Sequence, residues 1–440
     1  MKAGSAGAAA QAGRGGRHSL IEVRAGQAPP PLPRSAWLDI DLQALVGNVR
    51  VIEGLLPPGV RIQAVVKADA YGHGAVAVAR ALVEAGIDDL GVATFDEALE
   101  LRLAGLRVPI LVLFPIPAEL APTARQLGLS ISVGDAEHLA RTLAALAEAE
   151  RSSGANAGSH LGAAATPPLA VQVEVETGLG RGGELPEGLV ELVRAIEACP
   201  LARPAGLWSH HQMAGDPDIT ARQQARFGEA SALLAAAGAV LPARHLAASG
   251  AVLTGQPGDC NAVRLGLSLY GIVPDGLTPQ AAAAASVASL RPVMALRARP
   301  VRVAWLAPGT GVSYGPSFVT SRRSLIATLP VGYADGYQRS FSNRGHVLVR
   351  GFRAPQVGTV AMDAIMVDVT DVPGPEVTID DEFTLLGEQA GERLDATEVA
   401  RWGDTISYEV LAGMSGRLPR VYHAATGIVG VRTLASEESC

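Results

Sequence analysis

Aromatic residues make up only 4% of this 440-residue chain, so aliphatic side chains must supply most of its core. The three cysteines, Cys199, Cys260 and Cys440, are too few and too widely spaced for a disulfide framework or a paired metal site. They imply reduced thiols in a cytosolic protein. No uncharged run of about 18 residues carries enough bulky apolar side chains to span a bilayer. Dense basic runs are missing as well. The 36 Lys+Arg against 43 Asp+Glu leave a net charge of −7, which argues against nucleic acid as the main partner. Apolar residues are abundant at 48%, enough for a large core and incompatible with a mostly disordered chain. At roughly 150 residues per domain, the length allows two or three domains.

Residues 1–34 combine Gly/Ala/Arg stretches with the run Pro29-Pro30-Pro31-Leu32-Pro33, and set Lys2, Arg14, Arg17, Arg24 and Arg34 against the single acid Glu22. Without a continuous apolar stretch of about 7–15 residues this is no secretory signal. Its composition cannot bury enough surface to offset ordering, so it reads as a disordered tail. Residues 151–168 are small and polar up to Pro167-Pro168, and read as a loop; residues 275–290 read as a loop or a short helix.

Between these segments the pattern alternates. Eight short β-rich runs fall at 61–66, 90–95, 109–114, 129–133, 169–176, 205–210, 244–249 and 262–266. Several are continuously apolar, as strands buried on both faces should be. Helical spacing separates most of them, as over 74–85, 135–150 and 218–237, with Asp135 and Asp218 at expected N-caps. Eightfold strand–helix alternation predicts an α/β fold, a parallel (β/α)8 barrel over residues 35–290. From about 291 to 440 the pattern becomes alternating runs joined by Gly/Pro/Asn turns, with one helical insert near 395–412. That predicts a C-terminal, mostly antiparallel β domain. Barrel active sites form at the carboxyl ends of the strands. Lys67 follows the first run, Arg181 the fifth, His210 and Ser249 end the sixth and seventh, and Arg264 and Gly266 lie on the eighth. These residues are expected at one mouth.

Residues 64–74 read AVVKADAYGHG. A lysine confined in a barrel mouth is a covalent-catalysis candidate, because desolvation lowers the pKa of its amine. This loop resembles the cofactor-lysine motif of alanine racemases, the fold-type III enzymes that use pyridoxal 5′-phosphate. Further motifs follow in family order: RSAWLDIDLQALVGNV (34–49), ETGLGRGG (176–183), SHH (209–211), the Ser249 segment, VRLGLSLYG (263–271), GVSYG (311–315), LPVGYADGY (329–337) and VGTVAMD (357–363). The resemblance spans about 34–432. GLGRGG also matches a dinucleotide-binding fingerprint, but its internal Arg181 and the lysine loop at the first strand count against that reading.

The resemblance implies an isomerase interconverting L- and D-alanine by two bases. Lys67 carries the cofactor and takes or gives the α-proton on one face, and Tyr314 acts on the other. Tyr314 and Met362 come from the partner subunit of a homodimer. Arg264 lies at the pyridine nitrogen; a guanidinium cannot readily yield a proton to it, so the cofactor withdraws electrons less strongly. Tyr71, Ser249 and the backbone at Gly266 and Leu267 hold the phosphate, and His210 lies against the ring. Arg181 and the Met362 backbone hold the substrate carboxylate, while Tyr333 lines the entrance. The histidines show no metal spacing. The product would serve bacterial cell-wall peptidoglycan, made in the cytoplasm.

Two positions depart from the family pattern. Aligned on Arg181, Glu174 stands where many relatives have a carbamylated lysine that steers the arginine, and Gly416 stands where some have a tyrosine near the phosphate. Glu174 supplies a permanent carboxylate on a shorter arm and is expected to orient Arg181. Substrate breadth stays open, with a broader-specificity racemase, acting for example on serine, as one alternative. A non-catalytic pyridoxal-phosphate-binding protein is another, against which the β domain with Tyr314 speaks. Arg264 speaks against a decarboxylase of the same fold type.

Overall fold

The computed structural model describes residues 19–24, 26–155 and 166–434. Eight parallel strands close into a barrel: Arg61–Val65, Leu90–Val92, Ile110–Val112, Ser130–Val133, Leu169–Glu174, Ala202–Trp208, Ala243–Ala248 and Ala262–Leu265. The last pairs in parallel with the first, Arg264 opposite Gln63. All eight runs read from the sequence are present. Strands such as Ile110–Val112 and Leu169–Glu174 are buried along their whole length, because helices cover the outside of a barrel while side chains fill its interior. Helices Ala75–Glu84, Phe95–Leu103, Leu189–Glu197 and Pro217–Ala236 bury one face each, which in Phe95–Leu103 includes Arg102 and in Pro217–Ala236 includes Thr220 and Gln223. Asp135 caps its helix, accepting the His138 N–H at 2.7 Å. The second expected cap is displaced. Asp216 accepts the Ile219 N–H at 2.9 Å, and Asp218 falls inside the first turn, since Pro217, with its fixed φ and no N–H, suits the first helical position.

After the barrel comes a large, mostly antiparallel sheet. Its order runs Ser19–Glu22, Gly427–Thr433, Arg420–Ala424, Ala36–Asp41, Met294–Ala298, Phe383–Gln389, His346–Val349, Phe352–Val357, Ile365–Asp368, Ser324–Leu329, Arg302–Leu306. The helical insert is two short helices, Ala396–Trp402 and Ser407–Ala412.

Other sequence expectations fail as well. The disordered tail over 1–34 fails for its later part: Ser19–Glu22 pairs antiparallel with Gly430–Thr433, and Arg34 bridges the buried Asp335 at 2.7 Å. An edge strand needs only a partner's free ladder, which composition does not report. Residues 1–18 lie outside the described residues, as do 156–165 of the expected loop. Residues 151–155 of that loop extend the helix Ala136–Ala155. The barrel's expected start at residue 35 also fails. Ala36–Asp41 lies inside the second sheet, between Met294–Ala298 and Arg420–Ala424. The helix Leu42–Glu53 then leads the chain into the first barrel strand. Among the described residues, no helix is long and apolar enough to cross a membrane.

Candidate active site

The carboxyl ends of the barrel strands open into a cavity of about 880 Å³. Lys67, one residue past the buried first-strand run, stands on its wall with Tyr71, four residues further on. Burial holds the Lys67 ammonium below the usual lysine range. Arg181 and Arg264 push it further down, and Glu97 opposes them. Two guanidinium groups near a half-buried amine favour its neutral, nucleophilic form.

Arg264, on the eighth strand, is 3% exposed and held from every side. It donates to the Nδ1 of His245 at 2.6 Å and of His210 at 3.0 Å, and to the carbonyls of Ser209, His245 and Leu246. Its guanidinium also lies 5.0 Å from the Trp208 ring. Burial lowers it to about 10, so it keeps its proton at neutral pH. That settles the neighbouring tautomers, since an Nδ1 facing a guanidinium N–H must accept. The remaining proton of His245 sits on Nε2 and goes to Gln172 Oε1 at 2.6 Å. Burial and the Arg264 charge hold both imidazoles well below their ordinary range.

Ser249 begins a short helix after the seventh strand. Its hydroxyl receives the N–H groups of Gly266 and Ser268, each at 3.3 Å, and the Ser268 hydroxyl at 2.9 Å. A Cβ at Gly266 would overlap the Tyr71 hydroxyl, so only glycine lets the two approach. Leu267 completes this side of the wall. Opposite, Arg181 donates to Glu174 at 3.2 Å and lies 5.8 Å from the Phe114 ring.

Nine residues singled out from the sequence therefore line one cavity: Lys67, Tyr71, Glu174, Arg181, His210, Ser249, Arg264, Gly266 and Leu267. Tyr314, Tyr333 and Met362 are not on its wall. They occupy three neighbouring loops of the second domain, tied by Ser313 Oγ to the Thr359 carbonyl (2.6 Å), Tyr333 N–H to the Ala361 carbonyl (3.0 Å) and Ala334 N–H to the Met362 carbonyl (3.1 Å). All three side chains face outward, at 76%, 42% and 52% exposure. Asp363 pairs with Arg417 at 2.6 Å.

Sequence reasoning missed His245 and Gln172, which buttress Arg264. The available signal was a polar residue at an inward position of an apolar strand, Gln172 lying two residues before Glu174. Also missed were Tyr408, which reaches the cavity from the helical insert, and His211, which lines it with both ring nitrogens unpartnered. Among the described residues no three His, Cys, Asp or Glu gather as metal ligands.

The fold defines a two-domain α/β protein, a closed parallel barrel followed by an antiparallel sheet. Comparison with known proteins makes the class specific. The alanine racemase N-terminal domain matches residues 40–274 and the alanine racemase C-terminal domain residues 293–422. An alanine racemase of Halothermothrix orenii is 38% identical over 398 residues, covering 90% of this chain and 99% of its own. One of Symbiobacterium thermophilum is 39% identical over 396 residues, covering 89% and 98%. The crystal structure of alanine racemase from Bacillus anthracis with bound L-Ala-P matches with a TM-score of 0.80 at 32% identity, covering 91% of this chain and 98% of that one. The chain belongs to the alanine racemase family of isomerases.

Proposed function

We propose that this protein interconverts L- and D-alanine with pyridoxal 5′-phosphate, as a homodimer in the cytoplasm, and so supplies D-alanine for cell-wall peptidoglycan. The observation that carries the reading is the Lys67 amine, held below its usual range by burial and two arginines on the wall of one cavity. The wall fits the cofactor. Tyr71, Ser249 and the Gly266–Leu267 backbone form a small donor-rich cradle for a phosphate, and a glycine keeps it open. Arg264 and His210 suit an aromatic ring's nitrogen and face.

When bound, pyridoxal phosphate withdraws electrons from the substrate α-carbon and makes its proton removable. Lys67 Nζ takes that proton from one face. The Tyr314 hydroxyl of the partner subunit gives one to the other face, and the reverse reaction exchanges the roles. Arg181, steered by Glu174, and the Met362 backbone of the partner subunit bind the carboxylate, while Tyr333 borders the entrance. Arg264 keeps its proton and so limits electron withdrawal, which favours immediate reprotonation of the α-carbon. In this scheme the barrel unit carries the cofactor and the sheet unit supplies the second base.

The test offers L-alanine, L-serine and L-lysine to purified protein with pyridoxal phosphate, followed by chiral product analysis. D-alanine is expected from L-alanine. D-serine or D-lysine at comparable rates would show broader specificity, and no D-product from any of the three would defeat the reading. Lys67→Ala should abolish both racemisation and the visible absorbance of lysine-bound cofactor.

A further inference from the structure

Immediately after Lys67 the backbone does something L-residues avoid. Ala68, Asp69, Ala70 and Tyr71 all have positive φ, between 52° and 55°, a full left-handed turn without a glycine. Each such residue brings its Cβ too close to the following carbonyl oxygen, so the turn has to be imposed by its surroundings. It has a use: its start presents Lys67 and its end presents Tyr71 to the same cavity.

Several of the restraints reach it from the second domain. Arg420 and Arg432 stand directly opposite each other on neighbouring strands of the terminal sheet, and both are buried. Like charges so placed repel. The anion that compensates them is Asp69, from the middle of the left-handed turn. Arg432 grips its carboxylate with both terminal nitrogens, Nη1 at 2.7 Å, and Arg420 Nη2 lies 3.8 Å away. Asp69 also accepts the Ala75 N–H at 2.8 Å. Arg420 donates to the Gly72 carbonyl from Nε (3.3 Å) and Nη2 (3.1 Å). At the turn's other end, Glu97 accepts the Ala68 N–H at 2.7 Å. The strand carrying Arg432 is covered in turn by Ser19–Glu22, Leu20 lying opposite Arg432.

We propose that Arg420 and Arg432 form a positioning socket for Asp69 that holds this left-handed turn, so that cofactor affinity depends on the terminal sheet of the second domain. The proposal rests on the pyridoxal-phosphate reading above. Both arginines are positioning residues, because they act through Asp69 and the loop backbone. A bare domain-gluing ion pair is the competing account, and it predicts a lower unfolding midpoint with unchanged cofactor binding.

The experiment titrates the cofactor-stripped, full-length chain with pyridoxal phosphate, following the visible absorbance, and records thermal unfolding in parallel. Arg432→Met should weaken cofactor binding at least tenfold. Adding Ala68→Gly should restore most of that affinity, because glycine adopts positive φ without the Cβ penalty and residue 68 is exposed. Asp69→Asn removes the charge while keeping a residue that tolerates the left-handed region, and decides the matter if Arg432→Met does not fold. It should weaken binding several-fold. Wild-type affinity in Asp69→Asn, or a loss in Arg432→Met that Ala68→Gly leaves untouched, would overturn the socket. Failure of the unaltered chain to bind pyridoxal phosphate would instead overturn the functional reading.

Discussion

Glu174 is 7% exposed on a barrel strand and has one guanidinium, Arg181, 3.2 Å away. Burial pushes its carboxyl above the usual range even though Arg181 pulls it down. The pair is therefore sustained by position more than by strong attraction, as partly buried ion pairs commonly are. Its use lies in geometry. Arg181 is a long, 41%-exposed side chain that without a fixed acceptor would sample several rotamers. Glu174→Gln keeps size and an acceptor oxygen but removes the charge. It should lower kcat/KM for alanine by about tenfold, equivalent to about 1.4 kcal/mol of transition-state stabilisation, with cofactor affinity unchanged. Steady-state kinetics beside a cofactor titration checks this, and unchanged kinetics would remove Glu174 from the site. The carboxylate itself was legible in the run VQVEVETG, because Glu174 stands seven residues before an arginine already placed at the mouth. His245 was not. Its role depends on a partner 19 residues away on the next strand, and a single histidine in RHLAAS carries no mark of that pairing.

The strands that close the barrel are readable for a physical reason: both faces are buried, so each is a short apolar run with few alternatives. The strand Ala36–Asp41 escapes a local reading because strand pairing is non-local. Its partners begin at residues 294 and 420, and nothing within its six residues names them. The polar interior is equally non-local, and it has a consequence for acid stability. His73 is fully buried, and burial lowers it to about 4; His245 lies well below its ordinary range for the same reason. Unfolded histidine titrates near 6.5. Between about 4 and 6.5 the unfolded chain therefore binds protons that the folded chain refuses. Stability is complete above about pH 6.5 and is lost as the pH falls towards 4, at roughly 1.4 kcal/mol per pH unit for each such histidine. Denaturant unfolding at pH 7 and pH 5 should show His73→Gln losing roughly 2 kcal/mol less than the unaltered protein over that interval. Equal losses would show that His73 does not govern the acid limb.

At the scale of the whole molecule, the proposed racemisation needs a second base facing Lys67 across the cavity. Two tyrosines of the same chain, Tyr71 and Tyr408, reach its wall, but burial pushes both hydroxyls up, Tyr408 to about 12, which leaves neither suited to exchange protons near neutrality. Tyr314 instead stands 76% exposed on the sheet domain, grouped with the exposed Met362 and Tyr333. A closed two-fold dimer makes such an arrangement reciprocal: whatever one chain lends to its partner's cavity, it receives in its own. This separates two accounts that single substitutions confuse, because under the proposed two-base scheme Lys67→Ala and Tyr314→Phe would each remove activity wherever the tyrosine acts. Mixed dimers distinguish them. A dimer of one Lys67→Ala chain and one Tyr314→Phe chain concentrates both lesions in one cavity and leaves the other intact, provided the tyrosine crosses the interface. Co-expression in equal amounts should then recover about a quarter of the unaltered activity, since about half of the dimers are mixed and each has one working site of two. If Tyr314 served its own chain's cavity, both sites of every mixed dimer would be damaged, and co-expression would yield no more activity than the two variants assayed apart.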